Sequence, residues 1–230
     1  MIGGTLGMAY GVTATSFLLT LGMPPVAASA SVHAAEVVTT GLSGLSHAGF
    51  GNVDGYLVKR LVIPGVIGAV SGAYILASVP GMTIKPFVAA YLLVMGLVIL
   101  SKALRRAVQG EVRTRLVPLG LVGGFLDAIG GGGWGPIVTS TLVARGNSPR
   151  FTIGSVNFVE FFVALSASAT FVLTVGLSYW HAIVGLAIGG AVAAPIAAYT
   201  CKRAPTRVLM LLVGVLIIGL SIRTLSQVLR

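Results

Sequence analysis

With 56% hydrophobic residues, 9% charged residues and a mean hydropathy of +1.00 over 230 positions, the chain is too apolar for a soluble domain, which carries about 25% charge. The net charge of +10 would suggest nucleic acid in a soluble protein, but here the basic residues sit between apolar runs and read as topology anchors, so no nucleic-acid partner is expected. Cys201 is alone, which excludes an internal disulfide.

In chain order, residues 1–22 are apolar and glycine-rich. Met1 to Met8 lacks a basic start and a cleavage site, so no cleavable signal peptide is expected. Apolar runs near 30–49, 57–78 and 84–104 each match the ~20 helical residues that cross a ~30 Å bilayer core. Residues 118–145 form a second glycine-interrupted segment, and further runs lie near 151–176, 180–200 and 205–226. The period-two alternation of an outer-membrane barrel is missing, so the expected fold is an all-α integral membrane protein.

Gly130 to Gly133 break the 118–145 segment, since each glycine costs a helix about 1 kcal/mol relative to alanine, and Pro136 suits the first turn of a new helix. The arms on either side are each about 18 Å long at ~1.5 Å per residue, too short to cross alone. One broken helix that spans, or a re-entrant hairpin, satisfies that length. If both ambiguous segments span, the lysines and arginines divide nine to six; if both are re-entrant, they divide twelve to three. The positive-inside rule favours the second solution, with the 102–115 loop cytoplasmic in the cell's inner (cytoplasmic) membrane. Each half then holds a hairpin plus three spans, and an odd number of crossings turns the second half upside down relative to the first.

The two halves repeat. Tyr10-Gly11, Thr15-Ser16, Gly22, Pro25, Ser31-Val32 and Glu36 recur as Trp134-Gly135, Thr139-Ser140, Gly146, Pro149, Ser155-Val156 and Glu160, at a constant offset of 124. This sets repeat units at 1–110 and 111–230, the organisation of a transporter whose halves meet at a central site. By the same offset Met1 aligns with Phe125, so the first hairpin has only a stub for its entering arm.

Of the five acidic residues, Glu36, Asp127 and Glu160 lie in apolar sequence, where a carboxylate costs at least ~2.5–3.5 kcal/mol at a helix centre, while Asp54 and Glu111 fall in loops. Glu36, Glu160 and Asp127 are candidates for proton coupling, with a structural link pinning the hairpin as the other reading. His33 stands three residues before Glu36 and Asn157 three before Glu160, so each pair shares a helix face. No metal site is expected, because His47 and His181 show no ligand spacing with His33 or with a cysteine. The glycine-broken hairpins make the case for an anion: helix N-termini at mid-membrane expose amide groups and a partial charge of roughly +0.5. Gly11, Gly131, Gly132 and Gly133 with Tyr10 and Trp134 would form the tips. Thr15, Ser16, Thr139, Ser140, Ser31, His33, Ser155 and Asn157 would supply polar groups to the substrate.

The stretch LGMAYGVTATSFLLTLGMPPVAASASVHAAE and its partner GFLDAIGGGGWGPIVTSTLVARGNSPRFTIGSVNFVE resemble the sulfite exporter TauE/SafE family of membrane anion transporters, and the two-half layout extends the resemblance over essentially the whole chain. The resemblance implies a small oxyanion substrate: sulfite, a sulfonate or a related organosulfur or carboxylate anion. Where the family often places an acidic residue before the glycine motif in both halves, this chain has Asp127 in the second and Gly3 in the first.

The combined expectation is a secondary transporter of a small oxyanion, coupled to protons or to sodium, without a cofactor, embedded in the lipid bilayer, with its oligomeric state open and a homodimer among the options. A passive anion channel and a carboxylate transporter of the same fold are the alternatives. An intramembrane enzyme ranks below them, because catalysis would need an asymmetric constellation and the polar residues are nearly paired.

Overall fold

Apolar runs punctuated by proline and glycine become helices in the computed structural model, which describes residues 10–104, 114–176, 180–189 and 206–228. The first half contributes α1 (Tyr10–Thr20), α2 (Pro25–Gly49), α3 (Gly55–Ser78) and α4 (Gly81–Leu104). The second contributes α5 (Leu116–Gly130), a π-helical stretch (Gly135–Thr139) running into α6 (Ser140–Ala144), then α7 (Pro149–Val175), α8 (Trp180–Gly189) and α9 (Thr206–Val228). The described residues form an all-α membrane protein. Among them α3, α4 and α7 are long and apolar enough to cross a bilayer. The expected 30–49 run lies inside the 25-residue α2, and 205–226 corresponds to α9. The expected span at 180–200 is described only as α8, and the stub before Tyr10, Gly3 included, lies outside the described residues.

Local chemistry fixes the helix starts. α2 and α7 each begin on a proline, whose missing N–H would have had no intrahelical partner in the first turn. Asp54, expected in a loop, caps α3 by accepting the Tyr56 amide at 2.8 Å. Two boundaries fall at the sequence offset: α1 ends at Thr20 and α6 at Ala144, and α2 starts at Pro25 and α7 at Pro149.

Equivalent helices cross one another in opposite directions. On α2, a Cβ built at Gly44 would lie 3.0 Å from Phe158 Cα and one at Gly41 would lie 3.2 Å from the Phe161 ring, so moving back along α2 moves forward along α7. The His33 and Phe171 rings, 6.0 Å apart, continue the same sense. α4 and α9 repeat the relation, with Gly96 against Ile218 at 2.9 Å and Gly214 against Leu100 at 3.3 Å.

The glycine break produces a hairpin. Gly131 ends α5 in the left-handed conformation (φ 63°) and Gly132 follows at φ 134°, backbone states that a side chain disfavours. The chain then folds back: a Cβ built at Gly123 would come within 2.6 Å of Val138 and 3.4 Å of the Trp134 ring, contacts that one continuous rod cannot make. Gly68 and Gly72 of α3 let α5 approach at backbone contact, while the space at Gly65 is taken by the Trp134 ring and the Val163 side chain. Gly185 and Gly189 of α8 have nothing described within 4 Å of such a Cβ.

Candidate functional site

The hairpin tip carries its own anchor. Asp127, one turn before the end of α5, accepts the Gly132 amide on its backbone oxygen at 3.0 Å and the Trp134 amide on Oδ1 at 2.8 Å. The carboxylate thus occupies the position that the exposed amides of the returning arm would offer to an anion. Trp134 is fully buried, and its indole N–H donates to Val156 O at 3.2 Å, tying the tip to α7.

The other oxygen of Asp127 reaches the opposite half. His33 Nε2 stands 3.2 Å from Asp127 Oδ2, with both side chains buried. On its far side, His33 Nδ1 lies 2.8 Å from Ser29 O and 3.2 Å from Ser29 Oγ. The Ser29 hydroxyl donates to Ala128 O at 2.6 Å, so both Ser29 oxygens act as acceptors towards His33. Nδ1 therefore carries the proton, and Nε2 is the nitrogen presented to Asp127.

Glu36, one helical turn beyond His33, is 5% exposed, and its Oε2 has no hydrogen-bond partner. Its other oxygen overlies Gly11, where a Cβ would meet it at 2.5 Å. Glu160 is also buried, and both glutamates lie within electrostatic range of Asp127. The three carboxylates singled out by their apolar context converge, even though Asp127 and His33 are 94 positions apart.

The two tips also meet. A Cβ on Gly11 would lie 2.8 Å from Gly132 Cα, and the Thr15 hydroxyl donates to Gly131 O. Two more of the expected hydroxyls donate within the protein, Ser16 to Val12 O at 2.7 Å and Ser140 to Pro136 O, while Ser155 Oγ accepts the Asp54 amide at 2.7 Å. Thr139 is buried in the π-helical stretch and Asn157 is half-buried at the crossing of α7 with Gly44 of α2. Gly133 faces the Tyr91 hydroxyl, which donates to Gly132 O at 3.3 Å, and the Tyr10 hydroxyl donates to Leu186 O at 3.1 Å. The tips are therefore closed on each other.

A cavity opens beside them between α2 and α7. Ser31 and Ser168 line it together with Val26, Ala27, Phe171 and Val172, and the hydroxyls of both serines are buried without a partner. Phe171 separates this cavity from His33.

Sequence reasoning missed Ser29, Tyr91, Lys102, Ser168 and Phe171. None has a motif partner in the other half, which is the signal that singled out the rest. Lys102, in the last described turn of α4, donates to Pro136 O at 2.8 Å and to the Ser140 hydroxyl, supporting the widened π turn.

Comparison with known proteins agrees with this architecture. Residues 1–224 match the family described as Sulfite exporter TauE/SafE. A relative from Bacillus subtilis (strain 168), described as "Probable membrane transporter protein YtnM", is 46% identical over 235 residues, covering 98% of this chain and 78% of the relative. No solved structure matches the chain. With its helical membrane fold and a family match that runs from residue 1 to 224, the chain is a membrane transporter and belongs to the sulfite exporter TauE/SafE family.

Proposed function

We propose that this protein is a secondary transporter that carries a small oxyanion, sulfite or an organic sulfonate, across the cytoplasmic membrane by rocking two inverted repeats, 1–110 and 111–230, about their shared tips. The antiparallel crossing of α2 with α7 and of α4 with α9 supports the inverted relation, because a parallel repeat would leave equivalent helices running the same way.

The observation that carries the substrate reading is the cavity beside the closed tips. Its two hydroxyls, Ser31 and Ser168, have no partner among the described residues, and the first turn of α2 adds Val26 and Ala27, at a helix end that favours negative charge. The remaining lining is apolar, which suits a sulfonate with a short carbon chain as well as sulfite. The Thr15 hydroxyl reaches an anion when the halves separate, because its present acceptor, Gly131 O, belongs to the other half. Thr139, Ser155, Asn157 and Tyr10 line the same seam from the two halves.

Glu160 and Glu36, with Asp127 between them, form the coupling site, and a proton is the simplest coupling ion. The test is uptake by purified protein in proteoliposomes, with sulfite, short sulfonates, sulfate and carboxylates offered in parallel. Saturable sulfite or sulfonate flux that requires a proton or sodium gradient is expected. Non-saturating flux without a gradient would establish a passive channel, and flux of carboxylates alone would move the substrate class.

A further inference from the structure

We infer that His33, Glu36 and Asp127 form a binding site for a divalent first-row transition-metal ion, at the point where α2 meets the hairpin tip. Each offers one ligand atom, and the three atoms lie within 4.8 Å of one another inside the buried core.

Three observations support the site. First, the Ser29 acceptors fix the proton of His33 on Nδ1, which leaves Nε2 facing the cluster, the arrangement that orients a metal-binding imidazole from behind. Second, Nε2 and Asp127 Oδ2 are 3.2 Å apart, the separation of neighbouring ligands held at roughly 2.0–2.2 Å from one ion. Either a proton or a metal cation between these two atoms satisfies both, and the experiment below tells the two apart. Third, Glu36 Oε2 is buried with no hydrogen-bond partner among the described residues, which leaves it free to take a ligand. Lys102 does not fill this role, since its ammonium is committed to Pro136 O and Ser140.

One imidazole and two carboxylates suit zinc, manganese or iron(II) rather than calcium or magnesium, which favour all-oxygen sites. Three protein ligands leave at least one position open to water. Asp127 is held on its other oxygen by the Trp134 amide and on its backbone by Gly132, so an ion here would tie the tip of the second half to α2 of the first. The inference does not depend on the transported anion, because binding can be read without flux.

The experiment uses full-length, tag-free protein in detergent, stripped with a chelator and titrated with Zn²⁺ by calorimetry, then with Co²⁺ followed by visible absorption. Binding of one ion per chain is expected, with a Co²⁺ spectrum of mixed nitrogen and oxygen ligation. Glu36→Gln and Asp127→Asn should each weaken Zn²⁺ binding at least tenfold. Ser29→Ala, which touches no ligand atom, removes one of the two acceptors behind the ring but keeps the Ser29 carbonyl, so it should weaken Zn²⁺ binding measurably yet less than the ligand substitutions do. If Glu36→Gln or Asp127→Asn fails to fold, Ser29→Ala and the wild-type Co²⁺ spectrum carry the test. Glu160→Gln should bind the ion normally, which separates loss of coupling from loss of the metal site. No heat and no Co²⁺ spectrum with wild-type protein, as an imidazolium–Asp127 ion pair would give, overturns the site. Equal Zn²⁺ affinity in wild type, Glu36→Gln and Ser29→Ala overturns it as well.

Discussion

His33 Nε2 and Asp127 Oδ2 stand 3.2 Å apart across the boundary between the two halves, and neither side chain reaches solvent. Removing one member of a buried pair strands the other, at a cost of about 3–5 kcal/mol. Asp127→Ala also deletes the acceptor for the Trp134 amide, so it should fall at the upper end of that range. Thermal unfolding in detergent checks this. The double substitution with His33→Ala should be less destabilised than the two single effects combined, by more than about 0.5 kcal/mol of coupling. Strict additivity would show that the pair does not hold the halves together.

Much of the frame was readable from sequence because helix formation in a bilayer is decided locally. The break at Gly130–Gly133, the starts of α2 and α7 on Pro25 and Pro149, and the offset between the halves each follow from residue types that are close together in the chain. The His33–Asp127 pair follows from no such local rule. Asp127 has Gly3 as its counterpart, so the repeat that singled out Glu36 and Glu160 gave it no symmetric partner, and no ligand spacing links it to a residue 94 positions away. For the same reason the sequence argued against a metal by comparing histidines with one another, whereas the structure gathers one histidine with two carboxylates. Ser16 and Ser140 donate to the carbonyl four residues back, a local habit of helix serines, whereas Thr15 donates to Gly131 O, a partner 116 positions away that only the folded chain reveals.

Gly132 has a φ of 134°, and a Cβ there would come within 2.6 Å of Gly11 Cα. Gly132→Ala therefore suffers backbone strain of about 1–3 kcal/mol and pushes the tips apart. Reduced thermal stability and loss of anion flux are expected, whereas Gly185→Ala, at a position with nothing described within 4 Å, should match wild type in both. Normal flux in Gly132→Ala would mean that tip contact is not part of the transport cycle. Gly132→Leu, which adds bulk at the same point, should abolish substrate access.

Lys102 illustrates how a charged residue can sit within an apolar span. Its ammonium donates to the Pro136 carbonyl and the Ser140 hydroxyl, polar groups of the widened π turn. Lys102→Met removes a charged donor from a partly buried carbonyl and should destabilise the protein by about 1–3 kcal/mol. Unfolding of purified protein measures this directly. A melting temperature unchanged from wild type would show that the turn is held by its own hydroxyl alone.

The cavity beside Phe171 gives a prediction about affinity rather than stability. Ser31 and Ser168 have no protein partner to lose, so truncating either to alanine should leave folding within about 0.5 kcal/mol of wild type. If the hydroxyls bind the anion, each lost hydrogen bond to a charged group is worth about 1.5–3 kcal/mol, which raises the KM for flux roughly tenfold or more. Unaltered KM in both variants would place substrate elsewhere along the seam.

Glu160 separates coupling from binding. It is buried on α7, within electrostatic range of Asp127, and the unpartnered oxygen found in the cluster belongs to Glu36. Glutamine keeps the shape of the side chain but cannot exchange a proton, so Glu160→Gln should fold normally and bind substrate while losing the acceleration of flux by an imposed pH gradient. Exchange of anion for anion at equal pH on both sides, which needs no net proton movement, should survive. The comparison is made in one set of proteoliposomes, with the gradient collapsed by an ionophore as the internal control. A variant whose gradient-driven flux equals wild type would remove Glu160 from the coupling path and shift that role to the groups around Glu36.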